Sequence, residues 1–335
     1  MRDLSETIQA EFPTKKIVVV GDLVADQFLR GTIARVSREA PVFILRHNET
    51  ETLAGSAANA AVNVAALGGK AVLVGLVGRD ANGAALLEKL ENSKVECGFI
   101  TKSENFQTTT KLRVLAGQHY AARQQVIRID YENKTTIDAK VRQRLRENFL
   151  AASQNADAII ISDYSYGVAS LEFTKIIVKT AKGKNIPALV DSRFRLEDFP
   201  NATAATPNQD EVEQILGKNF SDDDCARLRG KLGYEFLLVT RGNQGMLLVE
   251  KDKNPVSIEA VGAKEPVDVT GAGDTVIAAF ALGLASGLSF AESARLANHA
   301  GGIVVMKKGT AAASADELID SLQKAEATES KAQTL

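Results

Sequence analysis

From residue 139 onward, short continuous apolar runs alternate with longer stretches of helical periodicity, an order that only a mostly parallel sheet between two helical layers accommodates. The helical stretches are 139–152, 171–182, 209–216 and 223–232. The apolar runs 157–162, 188–191, 236–240 and 246–249 are predicted strands. Two long helices, 271–286 and 290–306, close the core, and 314–324 forms a last one before a polar tail at 325–335 that is expected to fray.

The first half is less regular. Residues 16–20 form an apolar run ending at Gly21 and Asp22, the pattern of a buried strand, read as central, that feeds a loop. The alanine-rich stretch 56–67 reads as a helix stopped by Gly68 and Gly69, and strand 71–77 follows, giving one βα unit. A helix at 81–92 and strands at 95–100, 109–115 and 125–130 come next. Segments 28–33 and 42–46 flank the turn-prone residues 37–41 and predict a hairpin outside the main sheet. Together these extra strands predict a lid over about 27–50 and 108–130. There is no repeat of fixed period and no linker long enough to separate independent domains, so the 335 residues read as one α/β domain of three layers.

Charge excludes several partners. With 40 Lys and Arg against 42 Asp and Glu, the chain lacks the bulk electrostatic footprint of a nucleic-acid or membrane-surface binder, so any anionic ligand must be met by local groups. No run of 18 apolar residues exists, and residues 1–12 carry Asp3, Glu6 and Glu11 with no signal-peptide core, so a cytoplasmic location is expected. Cys97 and Cys225 are far apart, and His47, His119 and His299 are scattered, which argues against a disulfide framework or a zinc site.

Two glycine-bearing helix starts carry chemistry. In VDVTGAGDTVIAAF, 267–280, the backbone N–H groups of Gly271, Ala272 and Gly273 converge at a helix N-terminus and make an anion hole. Asp274 in that first turn is either a carboxylate that complements the helix dipole or a general base beside the anion. The Walker and dinucleotide patterns both fail here. In LAGSAAN, 53–59, a second helix starts, with Asn59 and Asn63 one turn apart; they are either solvated or hydrogen-bonded to a polyol lying against Gly55.

The segments LAGSAANAAVNVAALG, 53–68, and DVTGAGD, 268–274, resemble the two signatures of the PfkB, or ribokinase-like, carbohydrate kinases. GDLVAD at 21–26, TPNQDE at 206–211, TRGNQGM at 240–246 and NHAGGIVVMKKGTA at 298–311 extend the likeness over nearly the whole chain. The resemblance implies a ribokinase-like αβα fold with a small β lid, and ATP with magnesium as the phosphoryl source. It implies Asp274 as the base, Gly271 to Gly273 as the anion hole, and Asp26, Gly55 and Asn59 as holders of sugar hydroxyls. Asn208 and Glu211 would act near the phosphates through magnesium and ordered water, the alternative being an ordinary helix start. Thr240, Gly242, Gly245 and Asn298 would shape the nucleotide pocket, and Gly309 a loop closing over it. A monovalent cation, potassium, would sit near Asp268 and Thr270; otherwise Asp268 bonds only the loop backbone.

Within the family, RVSREAPV at 35–42, TTKLRVLAG at 109–117, QQVIRIDYE at 124–132 and SDYSYG at 162–167 are similar to the bacterial D-glycero-D-manno-heptose 7-phosphate kinases of lipopolysaccharide core synthesis. That likeness implies phosphorylation of the anomeric hydroxyl to the 1,7-bisphosphate, Asp163 on the sugar side, and a homodimer through the β lid. The nucleotidyltransferase domain that follows many such kinases is not in this sequence, so a stand-alone kinase is expected. Two stretches, both of which the resemblance places beside the sugar, depart from the pattern: DSR at 191–193 stands where relatives tend to have DPK, and SYG at 165–167 where they tend to have Lys before Gly. A kinase for ribose, fructose, fructose phosphate or another sugar is therefore an alternative, and a sensor without catalysis is another. An oxidoreductase is not, because GDLVAD stands where GxGxxG would be needed. Lys111 and Arg113 alternate by two on a predicted strand, with Arg123 and Arg128 on its neighbour; they form either a site for the substrate's own phosphate or a solvated charged face.

Overall fold

The computed structural model describes residues 3–117, 124–133, 136–262 and 265–333. Helix α1 (Leu4–Ala10) is capped by Asp3, whose carboxylate accepts the N–H groups of Ser5 and Glu6. There follow β1 (Lys16–Gly21), β2 (Leu23–Val36), β3 (Phe43–Ser56), α2 (Ala57–Ala66), β4 (Lys70–Val74), β5 (Leu76–Gly78), α3 (Ala81–Asn92), β6 (Thr101–Ser103), β7 (Thr110–Gly117) and β8 (Gln124–Tyr131). The second half adds α4 (Ala139–Ala152), β9 (Ala158–Asp163), α5 (Leu171–Lys184), β10 (Ala188–Ser192), β11 (Ala204–Ala205), α6 (Gln209–Leu216), α7 (Asp222–Leu232), β12 (Phe236–Thr240), β13 (Met246–Glu250) and β14 (Val256–Ile258). Helices α8 (Ala272–Ala285), α9 (Phe290–Val304) and α10 (Ala315–Gln333) complete it.

The main sheet has the order β14-β13-β12-β11-β10-β9-β1-β4 and is parallel except where β13 pairs with β12 and β14. Its strands are apolar on both faces because helices cover both. Ile17 and Val19 of β1 join one core with α2, α8 and α9, while Val18 and Val20 join the other with α4, α5 and α7. Each such fully buried side chain stabilises by about 1.5–3 kcal/mol. Phe236 of β12 stacks on Phe280 of α8 and Phe290 of α9, with centroids 5.1 and 4.8 Å apart, fixing both helices against the sheet. Buried along most of its length, α8 is the long apolar run of the sequence in structural form. Among the described residues no helix is long and apolar enough to cross a membrane.

A second sheet, ordered β3-β2-β7-β8, forms the lid. It is larger than the hairpin read from the sequence, since β2 and β3 are continuous from Leu23 to Val36 and from Phe43 to Ser56. Their inner ends are buried and their outer ends exposed, so the strands leave the core as one ribbon.

Four other readings change. The strand at 16–20 is not central but second from the edge, between β9 and β4. The run at 71–77 splits at Gly75, where a Cβ would lie 2.6 Å from Leu23 Cγ, and β5 turns away to pair with β6. Residues 95–100 form no strand, only a bridge from Glu96 to Val72, the paired strand being β6. The last helix continues to Gln333 over much of the stretch read as a frayed tail.

Candidate functional site

Gly21, Asp163, Asp191 and Thr240 stand at or near the carboxyl ends of parallel strands, the edge at which open α/β sheets place their sites. The start of α8 faces the same edge. Its cap, Gly271, has φ 78°, a left-handed conformation that costs glycine little, and a Cβ there would lie 2.6 Å from Asn59 Nδ2. Glycine thus lets α2 and α8 approach until Asn59 Nδ2 donates to Asp274 Oδ2 at 2.7 Å. From the loop after β9, Tyr164 donates its hydroxyl to Asp274 Oδ1 at 3.4 Å.

Asp274 is buried, and burial together with the Asp191 and Asp26 charges pushes its carboxyl well above the usual range, against the two hydrogen bonds that favour the anion. Burial raises Asp191 as well, to about 6, with the charge of Asp163 adding and Arg193 opposing. Glu211 is raised to about 7 by burial and by Asp191.

A cleft of about 610 Å³ runs from Asp274 to Asn298. Of the expected residues it gathers Gly271, Ala272, Gly273 and Asp274 with Asn208, Glu211, Thr240, Gly242, Gly245 and Asn298. Ala272 is a correction, for its N–H is spent on the Val269 carbonyl at 3.2 Å. The amides of Gly271, Gly273 and Asp274 have no backbone acceptor among the described residues, so these are the donors that the helix start leaves available. Asn208 caps α6 in a capping box: its side chain accepts the Glu211 N–H while the Glu211 carboxylate accepts its own. The ordinary helix start and the place in the cleft therefore coexist. Thr240 is bridged to Asn208, Gly242 and Gly245 form the turn after β12, and Asn298 Nδ2 holds the Glu259 carbonyl at 2.7 Å.

A second group lies beneath the lid. Asp26 on β2 pairs with Arg113 of β7 at 2.6 Å, and Gly55 leaves room for it, since a Cβ there would stand 2.6 Å from Asp26 Oδ2. Lys111 Nζ lies 5.9 Å above the ring centroids of both Tyr164 and Tyr166, and burial lowers its pKa. Asn59 and Asn63 are buried, not solvated: Asn63 accepts from Thr275 at 2.7 Å, and Asn59 serves Asp274. Arg128 pairs with Asp130 of its own strand, and Arg123 lies outside the described residues.

Three expected residues stand apart. The Asp163 carboxylate, fully buried, is taken up by Ser192, Arg195 and the Ser165 N–H, so it ties loops together and does not line the cleft. Both oxygens of Asp268 accept backbone N–H groups, from Thr270 and Gly309 at 2.9 Å each, which ties Asp268 to the loop backbone and holds Gly309 outside the cleft lining. Tyr164, Asp191 and Arg193 all line the cleft; the sequence assigns Tyr164 no role of its own and reads 191–193 only as a stretch bordering the sugar. Their signal is position, at or just past the ends of β9 and β10.

The family model described as pfkB family carbohydrate kinase matches residues 14–317. The Bifunctional protein HldE of Haemophilus influenzae (strain PittEE) is 40% identical over 315 residues, covering 92% of this chain and 64% of that protein. The chain thus spans less than two thirds of the length of that relative. The structure of Arabidopsis thaliana ribokinase complexed with ribose and ATP matches at a TM-score of 0.69 and 22% identity, over 92% of this chain and 98% of that one. Phosphofructokinase-2 from Escherichia coli in complex with potassium gives 0.72 and 20%, over 91% and 97%. These two likenesses establish the fold.

Proposed function

Because the chain belongs to the pfkB family of carbohydrate kinases and is an ATP-dependent sugar kinase, we propose that its acceptor is a sugar that already carries a phosphate, with D-glycero-D-manno-heptose 7-phosphate as the leading candidate. The carrying observation is Lys111. Among the described residues it pairs with no carboxylate, and it sits over Tyr164 and Tyr166 beside the Asp26–Arg113 pair, close to the base. A half-buried ammonium that feels the Asp26 and Asp130 charges but forms an ion pair with neither among the described residues has donors to offer a phosphate. The motif likeness at 35–42, 109–117, 124–132 and 162–167 supports heptose in particular.

In this reading Asp274 takes the proton of the anomeric hydroxyl as that oxygen attacks the γ-phosphorus of ATP, and the amides of Gly271, Gly273 and Asp274 meet the charge on the transferred group. Asp26 and Asn59 orient the sugar near the base, Asn59 through its bond to Asp274. The products are the 1,7-bisphosphate and ADP. Magnesium bound to the triphosphate would supply charge neutralisation. Among the described residues no three His, Cys, Asp or Glu converge on a metal, whereas Asp191 and Glu211, both raised chiefly by burial, fit a cation reached through water. A potassium ion near Asp268 and Thr270 would share Asp268 with the loop backbone, and replacing potassium by a bulky organic cation in the assay tests it. The lid carries exposed Val36, Phe43, Val126 and Ile127, a surface that suits a second copy; sedimentation at assay concentration tests the dimer.

The deciding experiment is a coupled ADP-release assay with heptose 7-phosphate, its dephosphorylated form, fructose 6-phosphate, fructose and ribose. The phosphorylated heptose should lead. Lys111→Ala should raise its KM by about 10- to 150-fold, the equivalent of a charged hydrogen bond, and leave the ATP KM unchanged. Equal use of the phosphorylated and neutral sugars by the wild type would refute the sugar-phosphate reading.

A further inference from the structure

Just beyond the end of β1, Asp22 turns its carboxylate into the interior, where it is 1% exposed. Facing it is the turn 164–168 that leaves β9. Ser165 has φ 64° and Gly167 φ 100°, left-handed positions between residues 164, 166 and 168 whose alternate N–H groups turn to one side, the Ser165 N–H going instead to Asp163. Three of these donors close on Asp22: the Tyr164 and Tyr166 N–H groups on Oδ2 at 2.9 and 3.0 Å, and the Val168 N–H on Oδ1 at 3.0 Å. Such a concavity of amides ordinarily receives a soluble anion, but here a side chain fills it. Burial pushes the Asp22 carboxyl up and the three donors oppose that.

The clamped turn carries two tyrosines. Tyr164 reaches Asp274 Oδ1, and the rings of Tyr164 and Tyr166 both lie under Lys111 of the lid strand β7. Tyr166 in turn donates its hydroxyl to Glu132, just past β8, at 3.0 Å. One five-residue turn therefore touches the base on one side and the lid on the other.

The geometry points to Asp22 and Tyr164 as positioning residues of the phosphoryl transfer: Asp22 fixes the turn, and Tyr164 donates the hydrogen bond that orients Asp274 while its ring seats Lys111. This inference rests on the reading of Asp274 as the base. A carboxylate held by one donor can still rotate about its last side-chain bond. Asn59 on Oδ2 and Tyr164 on Oδ1 approach from different elements and fix its plane. The charged groups facing Asp274 are Asp191 from β10 and Asp26 from β2, both of which disfavour its ionised form; Arg193 beyond β10 and Glu211 of α6 face Tyr164. The Asp274 charge and burial keep the Tyr164 phenol protonated, so it donates throughout the working pH range.

Tyr164→Phe keeps the ring and removes the donor. It should lower kcat about tenfold, leave the ATP KM within about twofold, and move the acid limb of kcat/KM up by about one pH unit, as expected when one bond to the ionised form is lost. Asp22→Asn should reproduce the shifted limb. If that variant does not fold, Gly167→Ala, which strains the turn and leaves Asp22 in place, decides the same point. An unshifted limb and unchanged kcat in Tyr164→Phe, or a folded Asp22→Asn or Gly167→Ala with a wild-type pH profile, would overturn the inference.

A tyrosinate absorbance titration tests the contact without turnover. Asp274→Asn should lower the ionisation pH of one tyrosine, and the change should vanish in a Tyr164→Phe background. A titration unaltered by Asp274→Asn overturns the contact. The same altered titration with a wild-type protein that phosphorylates no sugar, or with full turnover in Asp274→Asn, would instead refute Asp274 as the base and leave the contact standing.

Discussion

Replacing Arg113 with alanine separates two roles for the lid. Arg113 and Asp26 form an ion pair of 2.6 Å with side chains only 16% and 7% exposed. Removing one partner of a buried pair costs about 3–5 kcal/mol, because the other charge is left uncompensated, and the residual exposure of Arg113 argues for the lower end, about 3 kcal/mol. The guanidinium also lies 5.3 Å from the centroid of Phe28, a contact worth about 0.5 kcal/mol at a partly exposed site. A loss of about 3.5 kcal/mol in a chain of this size lowers the melting temperature by about 5 °C.

The sugar KM should rise as Asp26 loses its anchor, and it should rise for phosphorylated and neutral sugars alike. The double variant Asp26→Asn with Arg113→Ala should recover about 2 kcal/mol of stability, since no unpaired charge remains, without recovering sugar affinity. Thermal melting at neutral pH and KM for one phosphorylated and one neutral sugar measure both effects. A single variant that melts within about 1 °C of wild type, or a double variant no more stable than the single, would refute the ion-pair argument. An effect confined to phosphorylated sugars would return Arg113 to the role of a direct phosphate ligand.

Asp274→Asn should cost about 10²–10⁴ in kcat, yet melt higher than wild type at pH 8, with the gain fading toward pH 4. The sign follows from its raised pKa: the carboxyl favours the fold while protonated, and that contribution is lost as pH rises through the folded value. The same logic applied to Glu211, raised from 4.5 to about 7, gives a wild-type melting temperature that falls between about pH 5 and 8 and a flatter profile in Glu211→Gln. Gly273→Val should fold normally, because a Cβ at that position meets nothing within 4 Å, but should lose about 10²–10³ in kcat as the side chain enters the cleft. Normal turnover in that variant would move the anion hole elsewhere.

The local signals that the sequence carries are strong where each element specifies itself. Helices α4, α5, α7 and α9 begin at Asp138, Ser170, Ser221 and Ser289, whose side chains cap them, and the strands between are apolar runs of the right length, so the layered α/β class was legible residue by residue. GAGD and LAGSAAN were likewise legible as helix starts with chemistry attached. An apolar run, however, records only that both faces are buried and not which strands flank it, so 16–20 read as central although β1 lies second from the edge. Residues 95 and 100 are buried, which gave a strand its pattern, but no partner strand reaches them beyond the bridge at Glu96.

The site itself is tertiary. Asn59 and Asp274 are 215 residues apart in sequence, and Asp22 lies 142 residues before the Tyr164 amide it accepts. That Ala272 spends its N–H while Gly273 keeps its own depends on how the chain enters α8, and no composition encodes it. Asp191 and Tyr164 gain their roles only because β9 and β10 are neighbours that end at the same edge, beside α8. Propensity and capping act over a few residues and write themselves into the sequence; carboxylates crowd and hydrogen bonds form only when the sheet order has brought distant strand ends together.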